Sequence, residues 1–170
     1  RAYTGGMFRL LFRLFILGAH YRTPQNFTWE AVGASHIALG NIRDAVRELP
    51  KPHGEPDAES IEKFMERVND DLDTPGALAI FYGVLNNGSM EGGTKSATLL
   101  KMDEVLGLAL EDVVARPVSV PSSIEKLVTD REAARNEKDW KKSDAMRDEI
   151  ATLGYVVEDT ANGQRVKEQW

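Results

Sequence analysis

The side chains best placed for chemistry in this sequence lie in residues 130–149. There Arg131, Arg135, Lys138, Lys141, Lys142 and Arg147 interleave with seven acids. Such a pattern at helical spacing suits a salt-bridged helix pair. It equally suits a surface that reads base edges, which present both donors and acceptors. Composition leaves both open. Other constellations resolve to plainer roles. Residues 88–96 (GSMEGGTKS) nearly spell a phosphate loop, but Thr94 intrudes between Gly93 and Lys95, and a helical pattern precedes it where a strand is required. The stretch reads as a flexible linker. Asp70, Asp71 and Asp73 lack the glycine and the closing glutamate of a calcium loop; acids ahead of a helix complement its dipole instead. His20, His36 and His53 are too scattered for a metal pair on one helix, and His20 and His36 read as packed or helix-surface residues. No serine or threonine has a base and an acid in nucleophile order. The absence of cysteine excludes disulfides, thiolate zinc sites and thiol nucleophiles. No catalytic residue, cofactor site or metal site is expected in this chain.

The length, 170 residues, suits one domain or a large and a small one. With 42% hydrophobic and 28% charged residues the chain has a globular balance. Its net charge of −6 argues against indiscriminate nucleic-acid binding. Residues 55–73 carry that whole excess, with eight acids against Lys63 and Arg67. The longest apolar run, residues 7–19, is interrupted by Arg9 and Arg13 and is too short to span a bilayer. The expectation is a cytoplasmic protein with no membrane partner. The arginines also spoil a signal-peptide reading, and a chain opening on Arg1 reads as a piece of a larger protein.

Hydrophobic periodicity and breakers predict the elements that must position these side chains. A helix over about 7–21 is apolar nearly all round and belongs in the middle of a bundle. Thr28 caps a second helix to about Leu49, and the proline-rich stretch 50–58 is a loop. A third helix over 59–69 buries Ile61, Phe64, Met65 and Val68. Asp73 and Pro75 open a fourth, which Gly88 ends. A loop over 89–94 leads to a fifth helix ending near Leu106. Residues 115–123 (ARPVSVPSS) mark a boundary. Two helices follow, 123–136 and 140–153. Asp139 caps the second, and Met146, Ile150 and Leu153 form its buried stripe, leaving Trp140 and Asp144 on another face. A hairpin closes the chain, with strands at 155–158 and 164–167 and a turn over 159–163 ending in Asn162-Gly163. The fold class is mostly α: a helical bundle over 1–118, then a small α+β domain of two helices and a β-hairpin over 119–170.

Three blocks together resemble the cysteinyl-tRNA synthetases, in the part that follows the catalytic domain. Residues 13–27 (RLFILGAHYRTPQNF) resemble the pattern R-x-F-L-L-x-x-H-Y-R-S-P-x-N-F. Residues 65–78 (MERVNDDLDTPGAL) are similar to M-x-D-D-x-N-T-P-x-A-L. Residues 131–166 (REAARNEKDWKKSDAMRDEIATLGYVVEDTANGQRV) follow R-x-x-A-R-x-x-K-D-[WF]-x-x-[AS]-D-x-x-R-D-x-L-x-x-x-G-[IV]-x-[LV]-E-D, the most specific of the three. Two departures stand out. The family's G-T-x-W ending is here Gly163-Gln164-Arg165-Val166, and Leu10-Leu11-Phe12 replaces more polar helix-entry residues.

The resemblance implies the non-catalytic, tRNA-recognising part of a class I synthetase that joins cysteine to tRNA(Cys) with ATP. Its helical bundle would contact the tRNA body and its C-terminal domain the GCA anticodon. The ATP motifs and the zinc site would lie in the catalytic domain of the same parent polypeptide, upstream of this stretch. By resemblance, Arg135, Trp140, Asp144 and Asp159 match the anticodon-contacting positions. Their chemistry suits unpaired bases. An indole stacks on any base, a carboxylate accepts from cytosine N4 or from guanine N1 and N2, and arginine can fork onto guanine O6 and N7. Plainer roles stay open for each: Trp140 packed between helices and hairpin, Arg135 paired with Asp144, Asp159 serving only an Asx turn. Arg147 and Asp148 read as structural. A rival from another class, favoured by the acidic stretch 55–73, is a helical protein-interaction module that retains only the scaffold.

Overall fold

A computed structural model describes residues 5–116, 118–160 and 163–168. The chain forms two compact units, Arg1–Arg116 and Pro117–Trp170.

The first unit is helical: α1 (Gly5–Leu17), α2 (Trp29–Arg47), α3 (Ala58–Asn69), α4 (Thr74–Leu85) and α5 (Gly92–Leu106), followed by a 3-10 turn at Leu110–Asp112. Side-chain caps start α2, α3 and α4: Thr28 accepts from the Ala31 N–H, Asp57 from that of Ser60 and Asp73 from that of Gly76. α1 packs on α2 and α4, and α3 on α4 and α5. Leu11, Val32, Leu39, Phe64, Phe81, Leu99 and Met102 fill the core.

Several elements differ from the sequence expectation. α1 stops at Leu17, before Tyr21, where the Gly18 N–H turns back to the carbonyls of Leu14 and Phe15. It lies at the edge of the bundle, burying Leu11, Leu14 and Phe15 but exposing Phe12 and Ile16. Met65 of α3 is also exposed. α4 ends at Leu85, capped by Asn86, three residues short of Gly88. The supposed linker is the first turn of α5, because both carboxylate oxygens of Glu91 accept N–H groups there, from Gly93 at 2.9 Å and Thr94 at 2.8 Å. Its glycines are spacers: a Cβ on Gly92 would press on the Pro50 ring and one on Gly93 would run into His53. Asp71 accepts from the Tyr21 hydroxyl at 2.7 Å and from Arg22 at 2.9 Å, which ties residues 13–27 to residues 65–78.

A buried polar clamp closes α5. Gly107 takes the left-handed conformation at φ 64°, and the Asp103 carboxylate accepts the N–H groups of Leu108 at 2.6 Å and Leu110 at 2.8 Å. Arg43 of α2 donates to the carbonyls of Leu108 and Ala109. Burial raises the Asp103 carboxyl above its ordinary range, against the pull of these amides and of Arg43.

The second unit is α6 (Ser122–Asn136), α7 (Trp140–Thr152) and an antiparallel hairpin, β1 (Tyr155–Thr160) with β2 (Gly163–Glu168). Ile124, Ile150 and Val157 form its core, bordered by Val120, Leu127, Val128, Tyr155 and Val166. Val166 stands where the resemblance leads one to expect tryptophan, and it pairs with Val157 across the ladder. On α7 the buried stripe is Ser143 and Ile150; Met146 is only partly covered and Leu153 is exposed. Leu153 follows the last residue of α7 and leads into Gly154, at φ 86°, so its side chain leaves the packed face. The hairpin ladder reaches the Thr160–Gly163 pair, so the strands run further than the alternation predicts. The expected turn at Ala161 and Asn162 lies outside the described residues.

Candidate nucleic-acid interface

The link at 137–139 sets the geometry of the site. Lys138 adopts a left-handed φ of 61°, and the Asp139 N–H returns to the Ala134 carbonyl at 2.8 Å, which stops α6. Asp139 then accepts from the Lys142 N–H at 3.1 Å and starts α7. Trp140 is therefore the first residue of its helix, with no preceding turn to cover it. Its side chain is 57% exposed.

Arg135, in the last turn of α6, lies over the indole with its guanidinium carbon 5.8 Å from the ring centroid. The same guanidinium is 3.2 Å from Asp159 Oδ2. Asp159 is a strand residue of β1 paired with Gln164 of β2, not the first residue of the turn. Its carboxylate takes a two-pronged bond from Arg131, Nη1 to Oδ1 at 3.0 Å and Nη2 to Oδ2 at 3.2 Å. Hydrogen bonding from Arg131, then the charges of Arg131, Arg135 and Arg147, hold the Asp159 carboxyl below the ordinary range. Asp144, one helical turn beyond Trp140, is 67% exposed and only loosely paired, 3.7 Å from Arg147 Nη1.

Trp140, Arg135 and Asp159 are thus in one contiguous arrangement. Asp144 stands one turn further along α7, beside Arg147. The plainer roles fare differently. Trp140 is not enclosed, Arg135 pairs with Asp159 instead of Asp144, and Asp159 is engaged by arginines from α6. Arg147, read as structural from the sequence, contributes to the field at Asp159. Arg131 and Gln164 were not among the expected site residues, yet Arg131 Nη1 donates to Gln164 Oε1 as well as to Asp159. The signal for Arg131 was its phase, seven residues after buried Ile124 and three before buried Ala134.

An exposed indole supplies a stacking face, and Asp144 offers acceptor oxygens one helix turn further on. Together they can hold an unpaired base and sort it by its exposed edge.

The family described as "Cysteinyl-tRNA ligase anticodon binding domain" matches residues 118–166. The chain is 37% identical to Cysteine–tRNA ligase 1 of Burkholderia lata, over 95% of this chain and 34% of that protein. It is 36% identical to Cysteine–tRNA ligase of Novosphingobium aromaticivorans over 91% of this chain and 34% of the relative, and 32% identical to that of Chlamydia abortus over 91% and 36%. The chain belongs to the cysteinyl-tRNA ligase family. It spans about a third of the length of the curated relatives it matches.

Among the described residues no donor set fits the zinc that the resemblance implies for the parent's catalytic domain. Cysteine is absent from the sequence, and no group of three or more His, Cys, Asp or Glu among the described residues is arranged to hold a metal ion. Nor, among the described residues, is any helix long and apolar enough to cross a membrane.

Proposed function

We propose that this chain is the tRNA-recognising part of a cysteine–tRNA ligase, and that its C-terminal domain, 119–170, reads the GCA anticodon of tRNA(Cys). The observation that carries the reading is the exposed Trp140 indole, backed by Arg135 on one face, with the exposed and only loosely paired Asp144 carboxylate one turn away. Trp140 stacks on a splayed base and holds it without choosing it. Asp144 does the choosing: it accepts from an amino or imino group of cytosine or guanine and repels a uracil O4. Arg135 keeps the indole in place and offers a cation to the loop. Asp159 is the anchor of Arg135, with part of its carboxylate rim left for a base donor.

The bundle, 1–118, contacts the tRNA body. ATP-dependent joining of cysteine to tRNA, with its zinc, falls to the catalytic domain of the parent polypeptide. Fluorescence anisotropy with labelled anticodon stem-loops tests the reading. A GCA loop binds more tightly than loops with a changed anticodon, and affinity falls as salt rises. Equal affinity for all loops removes the specificity, and no binding to any loop favours a protein-interaction module.

A further inference from the structure

We propose that Arg131 is a positioning residue for the Trp140 surface, acting through Asp159 and with Gln164 to hold Arg135 in place over the indole. The inference rests on the reading above, that this surface receives unpaired nucleotides.

Arg131 is the largest fully buried side chain among the described residues, at 0% exposure. A buried cation is costly, and it persists only where partners are fixed around it. Here the partners come from both strands of the hairpin: Asp159 of β1 takes the two-pronged bond, and Gln164, its cross-strand neighbour on β2, accepts from the same Nη1. The planar fork leaves the Asp159 carboxylate little freedom to rotate. Its Oδ2 is also the oxygen that holds Arg135 at 3.2 Å. The chain of contacts therefore runs from a buried, rigid group to an exposed working face: Arg131, Asp159, Arg135, Trp140. Arg131 Nε has no hydrogen-bond partner among the described residues, so satisfying this guanidinium fully is not what the arrangement achieves. What it does achieve is a fixed orientation of Asp159.

Two substitutions in the full 170-residue chain separate positioning from mere support. Gln164→Met removes one acceptor at a partly exposed strand position and keeps the volume. Arg131→Lys keeps the charge and loses the fork. Each is followed by thermal melting, by the NMR signal of the Trp140 indole N–H, and by the affinity ratio between GCA and changed-anticodon stem-loops. The expected result for folded Gln164→Met is a shifted indole signal and a ratio lowered about three- to tenfold, the scale of one hydrogen bond in a network. Arg131→Lys, where it folds, lowers the ratio further and raises the titration midpoint of Asp159. Folded variants whose indole signal or discrimination matches the parent overturn the proposal. Should Arg131→Lys not fold, Gln164→Met decides alone. If the parent chain itself does not discriminate between loops, the reading of function fails. The indole shift of Gln164→Met without RNA then decides positioning: a moved signal supports it and an unmoved one overturns it.

Discussion

The guanidinium of Arg135 lies 5.8 Å from the centre of the Trp140 indole, which couples the last turn of α6 to the first residue of α7. An exposed tryptophan at a helix start would otherwise sample several rotamers. The cation covers one face, and its own tie to Asp159 leaves it little room to move. Trp140 is therefore held in place by its neighbour, and under the proposed function its removal has a clear signature. Trp140→Ala lowers affinity for the anticodon loop by about 1–3 kcal/mol, the worth of one base–aromatic stack. Because the ring is 57% exposed, the melting temperature stays close to that of the parent. Anisotropy and calorimetry on the same samples check both halves.

The two acids behave differently when neutralised. Asp144→Asn changes the stability of the second unit by no more than about 0.5 kcal/mol, since this carboxylate is exposed and loosely paired. Its effect falls on the ranking of stem-loops. Asp159→Asn leaves Arg131 buried without its countercharge and destabilises the unit by about 2–3 kcal/mol, less than for a fully enclosed pair because Asp159 is partly in water. Urea unfolding followed by signals from the hairpin measures the difference.

Two carboxyls, Asp159 and Asp103, contribute to the acid response with opposite sign. Asp159 is held below its ordinary value, so its contribution to stability is present above about pH 4, the unfolded value, and is lost as pH falls through the lower folded one. Asp103 is raised by burial, so its contribution is present below that value and is lost as pH rises through the higher folded one. Amide exchange measured from mildly acidic pH downward should show the hairpin losing protection. Asp159→Asn flattens that loss.

The revised stripe on α7 predicts unequal costs for two similar substitutions. Ile150→Ala empties a position at 0% exposure and costs about 2–5 kcal/mol. Leu153→Ala removes a side chain at 51% exposure and costs about 0.5 kcal/mol or less. Chemical denaturation of the two variants tests the assignment.

Much of this arrangement is legible in the residues alone, and the rest is hidden for physical reasons. Caps with a short polar side chain ahead of an apolar period, at Thr28, Asp73 and Asp139, locate helix starts because the bond they make is local. The start of α5 was misread because glycines signal loops when judged by propensity, whereas Gly92 and Gly93 are required by the close approach of Pro50 and His53. That contact is long-range and leaves no local trace. The exposed setting of Trp140 follows from its place right after the capping residue. The burial of Arg131 does not follow from its type, since arginine is seldom enclosed; only its phase with Ile124 and Ala134 carries the information. Asp159 looked like a turn residue because Asn162-Gly163 is so strong a turn signal, but the ladder pairs it with Gln164.

The most direct test follows the indole itself. In a chain whose other tryptophans, Trp29 and Trp170, are replaced by phenylalanine, Trp140 emission is titrated with a GCA anticodon stem-loop and with the same stem carrying a changed anticodon. Stacking on an unpaired base predicts strong quenching that saturates at lower GCA-loop concentration than for the changed loop, with Asp144→Asn bringing the two curves together. Emission that stays unchanged while either loop binds would contradict the account.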